Sequence, residues 1–175
     1  MITFERLCLD SKYYFQSKEL YEKSFPKNER GNFEKLLKHP DNSDALVFIE
    51  DGAYVGFVIL FVVNDLAHIV YLAICDEKRN HGYGSKILQL LDKEYADYRI
   101  FADVEKVEEN VKNYDQRVRR QAFYKKNGYY PSGIEYNWHG DDYQILLNRG
   151  SLTEKEFDSL WIYLDKKYGT ELREF

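Results

Sequence analysis

The spacing of apolar residues changes in the middle of the chain, between residues 66 and 95. Leu66–Cys75 is apolar at nearly every position, which is typical of a strand buried on both faces. A polar turn with two glycines, Gly82 and Gly84, follows this run. From Gly84 to Tyr95 the apolar residues recur three and four apart, as Ile87 and Leu91 illustrate. The pattern therefore predicts a central strand, a glycine-containing loop and a helix.

The residues before this segment predict a strand, two helices and a hairpin. Prolines at Pro26 and Pro40 end the two helical patterns. Asp51-Gly52, between two apolar runs, is typical of a tight hairpin turn. Three consecutive antiparallel strands follow from this order, and the third should be central in the sheet. The predicted elements are an edge strand at Ile2–Leu9, helices at Tyr13–Phe25 and Glu29–Lys38, and strands at Ala45–Glu50 and Tyr54–Val63.

The residues after the central helix predict a strand, a helix, a hairpin and a last helix. The first of these helices has a predicted apolar stripe of Val118, Ala122 and Phe123 and ends at Asn127-Gly128. The last helix begins with the capping box Thr153-x-x-Glu156. The elements are strand Tyr98–Glu105, loop Lys106–Asp115, helix Gln116–Tyr129, strands Tyr129–His139 and Asp142–Asn148 around Gly140-Asp141, and helix Thr153–Tyr168.

The length and net charge of the chain limit the classes of function that it can have. A chain of 175 residues with 44% hydrophobic and 31% charged residues is expected to form a single domain with a substantial core. The net charge of -5 does not favour binding to nucleic acid or to anionic membranes. It favours a cationic substrate such as an amine, or it serves solubility alone.

Cysteine usage and hydropathy indicate an intracellular setting. Cys8 and Cys75, the only cysteines, each fall inside a predicted strand and have no CxxC spacing, so we expect buried, reduced thiols and no metal site. The chain has no leader-like start and no apolar stretch of about 18 residues. These features predict a cytoplasmic protein.

The loop between the central strand and the helix is suited to a phosphate. A helix start offers unpaired N–H groups, and glycines let an anion approach them closely. The spelling lacks the Gly-Lys-Ser/Thr of a P-loop, and Ile87 stands where a dinucleotide-binding loop needs a third glycine. Arg79-x-x-Gly82-x-Gly84 instead resembles the coenzyme A pyrophosphate loop of the GNAT superfamily of N-acetyltransferases. Side chains that would add charge or hydrogen bonds are Arg79, Asn80, His81, Ser85 and Lys86.

A second motif resembles the same superfamily. Phe123-Tyr124-x-x-x-Gly128-Tyr129 is similar to the GNAT segment whose tyrosine lies near the coenzyme A sulfur. The two motifs occur in the family's order and the resemblance covers most of residues 1–148. It implies an α/β fold: a mixed, mostly antiparallel twisted sheet of six to seven strands flanked by helices. The helix at residues 153–168 is an addition to that core, and its apolar stripe packs on its own domain or on a second subunit.

The resemblance also implies which residues bind acetyl-CoA, the expected co-substrate; no metal is expected. The end of the central strand would contact the pantetheine arm and polarise the carbonyl through backbone N–H groups. Many members carry asparagine seven residues before the motif tyrosine, where this chain has Arg117. Arg117 either reaches a phosphate or is a solvated helix charge. The expected cofactor-binding residues are Leu72, Ala73, Ile74, Arg79, Asn80, His81, Gly82, Tyr83, Gly84, Ser85 and Arg117.

Direct acetyl transfer in a ternary complex, which the resemblance implies, needs an acid and a base. Tyr124 is the predicted general acid, because a phenol with a pKa of about 10 stays protonated at neutral pH; its ring could instead only pack on the cofactor. Asp103 and Glu105, on one face of a strand, are predicted bases, or they bind a cationic substrate or end the strand. His68 is either a base or a structural group. Glu29 is either an amine contact or a helix cap.

Two functions follow from the sequence. The first is an acetyl-CoA-dependent N-acetyltransferase acting on a primary amine of a small molecule or a protein. The second is a non-catalytic acyl-CoA-binding sensor or interaction module on the same fold. The protein is expected to be a monomer or homodimer, and thiol release from acetyl-CoA in the presence of amines separates the two functions.

Overall fold

A computed structural model of the chain describes residues 1–109 and 111–169. Asn110 of the predicted loop and residues 170–175 of the predicted domain lie outside the described residues. The elements in chain order are β1 (Ile2–Arg6), α1 (Tyr14–Ser24), α2 (Phe33–Leu37), β2 (Ser43–Glu50), β3 (Ala53–Val63), β4 (Leu66–Ile74), α3 (Tyr83–Glu94), β5 (Arg99–Glu105), α4 (Tyr114–Lys126), β6 (Tyr130–Trp138), β7 (Asp141–Leu147) and α5 (Glu154–Tyr168), with short 3₁₀ turns at Lys27–Glu29 and Asp76–Lys78.

The strands form one seven-stranded sheet in the order β1-β2-β3-β4-β5-β7-β6. Every neighbouring pair is antiparallel except β4 with β5, which is parallel. The predicted mixed, mostly antiparallel α/β fold is confirmed, as are the edge position of β1 and the central position of β4. The β2–β3 turn places Asp51 (φ 52°) and Gly52 (φ 82°) in the left-handed region that a tight hairpin requires.

The core lies on both faces of the sheet. On one face α1, α2 and α5 cover the sheet with residues such as Tyr21, Phe33 and Leu160. On the other face α3 and α4 cover it with residues such as Leu91 and Tyr124. We call these the α1–α2–α5 face and the α3–α4 face. A fully buried side chain of this size stabilises the fold by about 1.5–3 kcal/mol.

A β-bulge at Val70 changes which face each side chain of β4 enters. The register with β3 passes from Leu60↔Ile69 directly to Ile59↔Tyr71, so Val70 is the extra residue. Before the bulge Ile69 packs on the α3–α4 face, whereas after it Tyr71 packs on the α1–α2–α5 face. The bulge therefore sends Tyr71 towards the connection between α1 and α2.

The C-terminal helix packs on the same chain. Thr153 caps α5 and forms the predicted capping box with Glu156. Phe157, Leu160 and Leu164 are buried in the α1–α2–α5 core. The interpretation that its apolar stripe covers its own domain is confirmed.

Several predicted boundaries and burial assignments are wrong. β1 ends at Arg6, so Cys8 lies beyond the strand and is exposed, and Cys75 lies just after β4 and is half-buried. Neither is the fully buried strand thiol that was expected. α2 begins at Phe33 rather than at residue 29, because the side chain of Asn32 caps it by accepting a hydrogen bond from the N–H of Lys35 at 3.0 Å.

The predicted apolar stripe of α4 is also wrong. Val118 is 39% exposed and Ala122 is exposed, while Phe123 is half-buried. The side of α4 that packs on the protein carries Arg117 and Tyr124, both buried. The covered side therefore combines the ring of Tyr124 in the hydrophobic core with the polar partners of Arg117.

Candidate active site

The parallel pairing of β4 with β5 stops partway along both strands. The last paired residues are Ile69 and Ala102. β4 nevertheless continues to Ile74, and β5 continues to Glu105; among the described residues this end of β5 pairs with β7 alone. A gap therefore opens between two central strands, at the end where the glycine loop begins. Backbone groups that pairing would otherwise occupy are directed into this gap.

The backbone of β4 presents two of the three predicted strand residues to the gap. The N–H of Cys75 donates to the carbonyl of Val55 on β3 at 3.0 Å. Because the direction of these groups alternates along a strand, the N–H of Ala73 also points to β3, whereas the N–H groups of Leu72 and Ile74 point into the gap. The N–H groups of Leu72 and Ile74 thus have the geometry to polarise a carbonyl placed in the gap. The N–H of Ala73 is directed to β3 instead.

The glycine loop at the end of β4 is shaped to receive an anion. Asn80 (φ 63°) and Gly82 (φ 80°) have left-handed conformations, which turn neighbouring N–H groups towards a common side. A β-carbon on Gly82 would meet no atom within 4 Å, so the space beside it is open. Gly82 provides no side-chain cap for α3, which leaves the first-turn N–H groups without partners inside the helix. The structure brings together all the predicted loop residues: Arg79, Asn80, His81, Gly82, Tyr83, Gly84 and Ser85.

Cationic side chains surround this loop. The ammonium groups of Lys78 and Lys86 lie 5.4 Å and 4.7 Å from the centre of the Tyr83 ring. The guanidinium of Arg79 donates from Nε to the carbonyl of Ile74 at 3.0 Å and pairs with Asp76 at 2.8 Å. The amides and charges of this loop fit a diphosphate such as that of coenzyme A.

Tyr124, the predicted general acid, is 6% exposed on the covered side of α4. Its ring centre lies 5.2 Å from that of Tyr129. Burial raises the pKa of the Tyr124 hydroxyl; the charge of Arg120 lowers it and that of Asp103 raises it, and the net shift is upward. The hydroxyl is therefore protonated at neutral pH, as a proton donor must be. Its acid role stays a prediction.

Asp103, a predicted base, belongs to a buried hydrogen-bonded network. Its Oδ1 is bonded to Nε2 of His68, and its Oδ2 accepts from the hydroxyl of Tyr136. The His68 ring is stacked on Phe101 with 4.6 Å between ring centres, and its Nδ1 is buried without a hydrogen-bond partner among the described residues. These contacts favour the structural interpretation of His68. A proton-accepting role for Asp103 stays a prediction.

Glu105, the second predicted base, is 7% exposed and forms an ion pair with Arg120 of α4. It lies on β5 opposite Tyr143 of β7. The pair joins the end of β5 to α4 on the side of the gap where Asp103 also lies. The catalytic role of Glu105 also stays a prediction.

Glu29 is close enough to Glu105 for their charges to interact, although 76 positions separate the two in the sequence. The hydroxyl of Tyr71 donates to the carbonyl of Glu29 at 2.9 Å and accepts from the N–H of Gly31 at 3.1 Å. Burial raises the pKa of Glu29, and so does the charge of Glu105, whereas Arg120 lowers it. Glu29 is not a cap of α2. The residues themselves gave no signal for this placement of Glu29. The family resemblance was the only indication of an amine contact.

Arg117 is 3% exposed, so the interpretation as a solvated helix charge is wrong. Its guanidinium pairs with Asp141, donates from Nε to Asn113 at 2.8 Å and donates to the carbonyl of Lys106 at 3.2 Å. These bonds connect the start of α4 to the β6–β7 turn and to the end of β5. The predicted phosphate contact of Arg117 stays a prediction, and the guanidinium would have to leave these partners to make it.

Within residues 1–109 and 111–169, no group of three or more His, Cys, Asp or Glu side chains is arranged to hold a metal ion. In the same part of the chain, none of the helices has the length and apolar character needed to cross a bilayer.

Several solved structures with the same fold are described as acetyltransferases. A Bacteroides thetaiotaomicron protein attributed to the GNAT family superposes with a TM-score of 0.75 at 23% identity, over 95% of this chain and 98% of that one. The ribosomal-protein-S18-alanine N-acetyltransferase of Escherichia coli gives 0.59 at 17% identity, over 89% and 97%. A GNAT family acetyltransferase of Elizabethkingia anophelis with acetyl-CoA bound gives 0.56 at 13% identity, over 83% and 96%. At these identities the likeness concerns the fold.

Sequence comparison identifies the family. The family model described as "Acetyltransferase (GNAT) domain" matches residues 41–131, which include β4, the glycine loop and α4. The chain belongs to the GNAT acetyltransferases. A comparison with curated proteins gave no significant match.

Proposed function

We propose that this protein is an N-acetyltransferase that transfers an acetyl group from acetyl-CoA to a primary amine. The single observation that carries the proposal is the gap between β4 and β5, with the open glycine loop at its end. The first-turn N–H groups of α3 would hold the diphosphate of the co-substrate, and the gap would hold its pantetheine arm. Bound acetyl-CoA supplies an activated thioester.

The chain's own groups would carry out a direct transfer in a ternary complex. The N–H groups of Leu72 and Ile74 polarise the carbonyl. Tyr124 donates a proton to the leaving thiolate, and a carboxylate accepts one from the amine; Asp103 and Glu105 are the candidates from the sequence. No covalent acetyl-enzyme is needed, so neither Cys8 nor Cys75 has to act as a nucleophile.

The acceptor is proposed only as a class. Solved structures with this fold include an enzyme that acts on the alanine of ribosomal protein S18 and an aminoglycoside 6'-N-acetyltransferase. The acidic residues Glu29, Asp103 and Glu105 suit a cationic amine, and this is compatible with a small-molecule amine and with a protein amine. We further propose that residues 1–175 act as one domain in the cytoplasm, as a monomer or homodimer and without nucleic acid or membrane.

Two measurements on the purified chain test the proposal. Titration calorimetry should detect coenzyme A binding. Thiol release from acetyl-CoA should then increase on adding members of an amine panel: n-butylamine, spermidine, alaninamide, a lysine-containing peptide and an aminoglycoside. Binding without thiol release for any amine would favour the non-catalytic sensor instead, and absence of coenzyme A binding would overturn both functions.

A further inference from the structure

We propose that Arg120 of α4 stabilises the negative charge that develops on the leaving sulfur during acetyl transfer. The inference rests on the proposed function and adds a catalytic residue to it. Glu105, which pairs with Arg120, then becomes the residue that positions the guanidinium rather than a base.

The end of β5 borders the gap. The N–H of Lys106, just after β5, donates to the carbonyl of Asp142 on β7 at 2.7 Å. Because the direction of backbone groups alternates along a strand, those of the preceding residue, Glu105, face away from β7 and into the gap. The carbonyl of Glu105 accepts a hydrogen bond from the side-chain amide of Gln121 at 3.3 Å. α4 therefore lies at the open end of the gap.

The ion pair between Arg120 and Glu105 joins the two faces of the sheet at this place. Phe101 of β5 packs in the core of the α1–α2–α5 face, and a residue four positions further along a strand has its side chain on the same face, so the carboxylate of Glu105 lies there. Arg120 lies one helical turn before Tyr124, whose ring packs in the core of the α3–α4 face. The guanidinium thus reaches from the α3–α4 face to the opposite one, beyond the last pairing of β4 with β5.

The guanidinium of Arg120 keeps donors for a ligand. A guanidinium has five N–H donors, and among the described residues that of Arg120 bonds to Glu105 alone, through one terminal nitrogen. The Arg120 side chain is 37% exposed. The guanidinium of Arg117, one turn earlier in α4, is buried and donates to three partners. Of these two arginines, Arg120 is the one that can present charge and donors to a group bound in the gap.

Arg120 also acts on the predicted general acid. Burial raises the pKa of the Tyr124 hydroxyl, and the positive charge of Arg120 opposes this effect. The guanidinium is therefore within electrostatic reach of the group that is proposed to protonate the sulfur. A positive charge fixed beside the sulfur stabilises the thiolate as it leaves. Protonation of Glu105 would remove the pair that holds Arg120, so the proton of the amine is assigned to Asp103 instead.

The reaction balances with Arg120 as a fixed charge and Tyr124 as the proton donor. Asp103 takes one proton from the ammonium, directly or through a water molecule, which frees the nitrogen lone pair. The C–N bond forms as the C–S bond breaks, and the electron pair of the broken bond goes to sulfur beside Arg120. Tyr124 protonates the sulfur and is restored by the second proton of the nitrogen. The proton on Asp103 leaves to solvent.

The decisive variant is Arg120→Met, with Arg119→Met, at an exposed position of the same helix, as the matched control. With acetyl-CoA and the panel amine that the wild-type protein acetylates fastest, Arg120→Met should lower kcat by about 100-fold or more, because the sulfur becomes charged only in the transition state. KM for the amine should stay within about threefold. Arg120→Lys keeps a positive charge and should recover about tenfold of the loss. Arg119→Met should stay within about twofold of the wild-type protein.

A binding measurement tests the charge without catalysis. Coenzyme A carries a free thiol, and a cation beside that thiol favours the thiolate, so calorimetry should show tighter binding as the pH rises from about 7 to about 9. Relative to desulfo-coenzyme A, which lacks the sulfur, the affinity of the wild-type protein for coenzyme A should rise by about fivefold or more. The rise should be below about twofold in Arg120→Met and should persist in Arg119→Met.

Two further variants separate the charge from the stability of the fold. Removing Arg120 alone leaves Glu105 buried without its partner, which destabilises the protein. The double variant Arg120→Met/Glu105→Gln has no unpaired charge at this position and should fold, with the same low kcat as Arg120→Met. Glu105→Gln alone should lower kcat by about tenfold, because the guanidinium is kept but no longer held. A further loss on adding Glu105→Gln to Arg120→Met would show that Glu105 acts independently and would overturn its positioning role.

The possible outcomes separate this inference from the proposed function. If Arg120→Met keeps more than about half of kcat, raises KM alone, or binds coenzyme A with the pH dependence of the wild-type protein, Arg120 does not stabilise the sulfur and the acetyltransferase proposal stands. If the wild-type chain binds coenzyme A but acetylates no amine of the panel, both proposals are overturned.

Discussion

The ring of Phe123 on α4 lies directly against Gly84 at the start of α3. A β-carbon on Gly84 would be 2.8 Å from Cε2 of that ring and 3.4 Å from Cδ1 of Ile74. The second glycine of the loop is therefore required by a contact between the two helices, because its backbone is not left-handed. The first glycine, Gly82, is required by its left-handed backbone instead.

Gly84→Ala should consequently destabilise the fold and weaken coenzyme A binding. The added methyl group has no room, and overpacking of this kind costs about 1–3 kcal/mol. Thermal unfolding and calorimetry with coenzyme A measure the two effects. Phe123→Leu should restore much of both losses in Gly84→Ala, but it should not rescue Gly82→Ala, whose strain lies in the backbone. Equal rescue of both glycine variants would contradict the contact argument.

Tyr124→Phe should lower kcat by about 10²-fold or more, because it removes the hydroxyl that is proposed to protonate the leaving thiolate. The coenzyme A Kd should remain within about threefold, since the ring is kept. Tyr129→Phe is the control: this tyrosine is also buried beside Tyr124, and its hydroxyl has no hydrogen-bond partner among the described residues. If steady-state assays show that Tyr124→Phe has unchanged turnover, Tyr124 is not the general acid and its ring only packs in the protein.

Arg117→Met should mainly reduce stability. It removes the ion pair with Asp141 and the hydrogen bonds that hold the start of α4. Because Asp141 is partly exposed, we expect a loss of about 1–3 kcal/mol in the free energy of unfolding by urea. Arg119→Met, at an exposed position of the same helix, should have little effect. A large drop in coenzyme A affinity at unchanged stability would instead identify Arg117 as a phosphate contact.

The ion pair between Glu156 and Arg99 should stabilise the protein at neutral pH and stop doing so under strongly acidic conditions. The Arg99 guanidinium and the Thr153 cap lower the pKa of Glu156 from 4.5 to about 2. The charged form is favoured in the folded state, so this stabilisation is present above about pH 4.5 and is lost as the pH falls to about 2. Because the Glu156 side chain is 39% exposed, the effect should be about 1 kcal/mol or less.

Glu156→Gln measures this contribution. The variant should melt at a lower temperature than the wild-type protein at pH 7, and the difference should disappear as the pH approaches 2. Glu154→Gln, two residues earlier in α5, serves as the control. A difference that persists unchanged at pH 2 would assign the effect to the helix cap rather than to the charge.

The central strand, the glycine loop and the α3 helix could be predicted because one local sequence determines each of them. β4 is apolar on both faces, Gly82 permits a left-handed turn, and Leu91 lies on the covered side of α3. The hairpin turn at Asp51-Gly52 is determined in the same way.

Features that depend on pairing between distant residues could not be predicted. The bulge at Val70 exists only in the register of β3 with β4, and the gap exists only because β5 leaves β4 after Ala102. The covered side of α4 includes Arg117, whose partner Asp141 lies on a hairpin 24 residues further along the chain.

The division of the core into two faces has a consequence for changing what this protein acts on. The groups proposed to bind acetyl-CoA lie on β4, in the glycine loop and on the α3–α4 face. The connection that carries Glu29 joins α1 and α2, which lie on the opposite face. Under the proposed function, substitutions in residues 26–32 should change the preferred acceptor amine and leave coenzyme A binding unchanged.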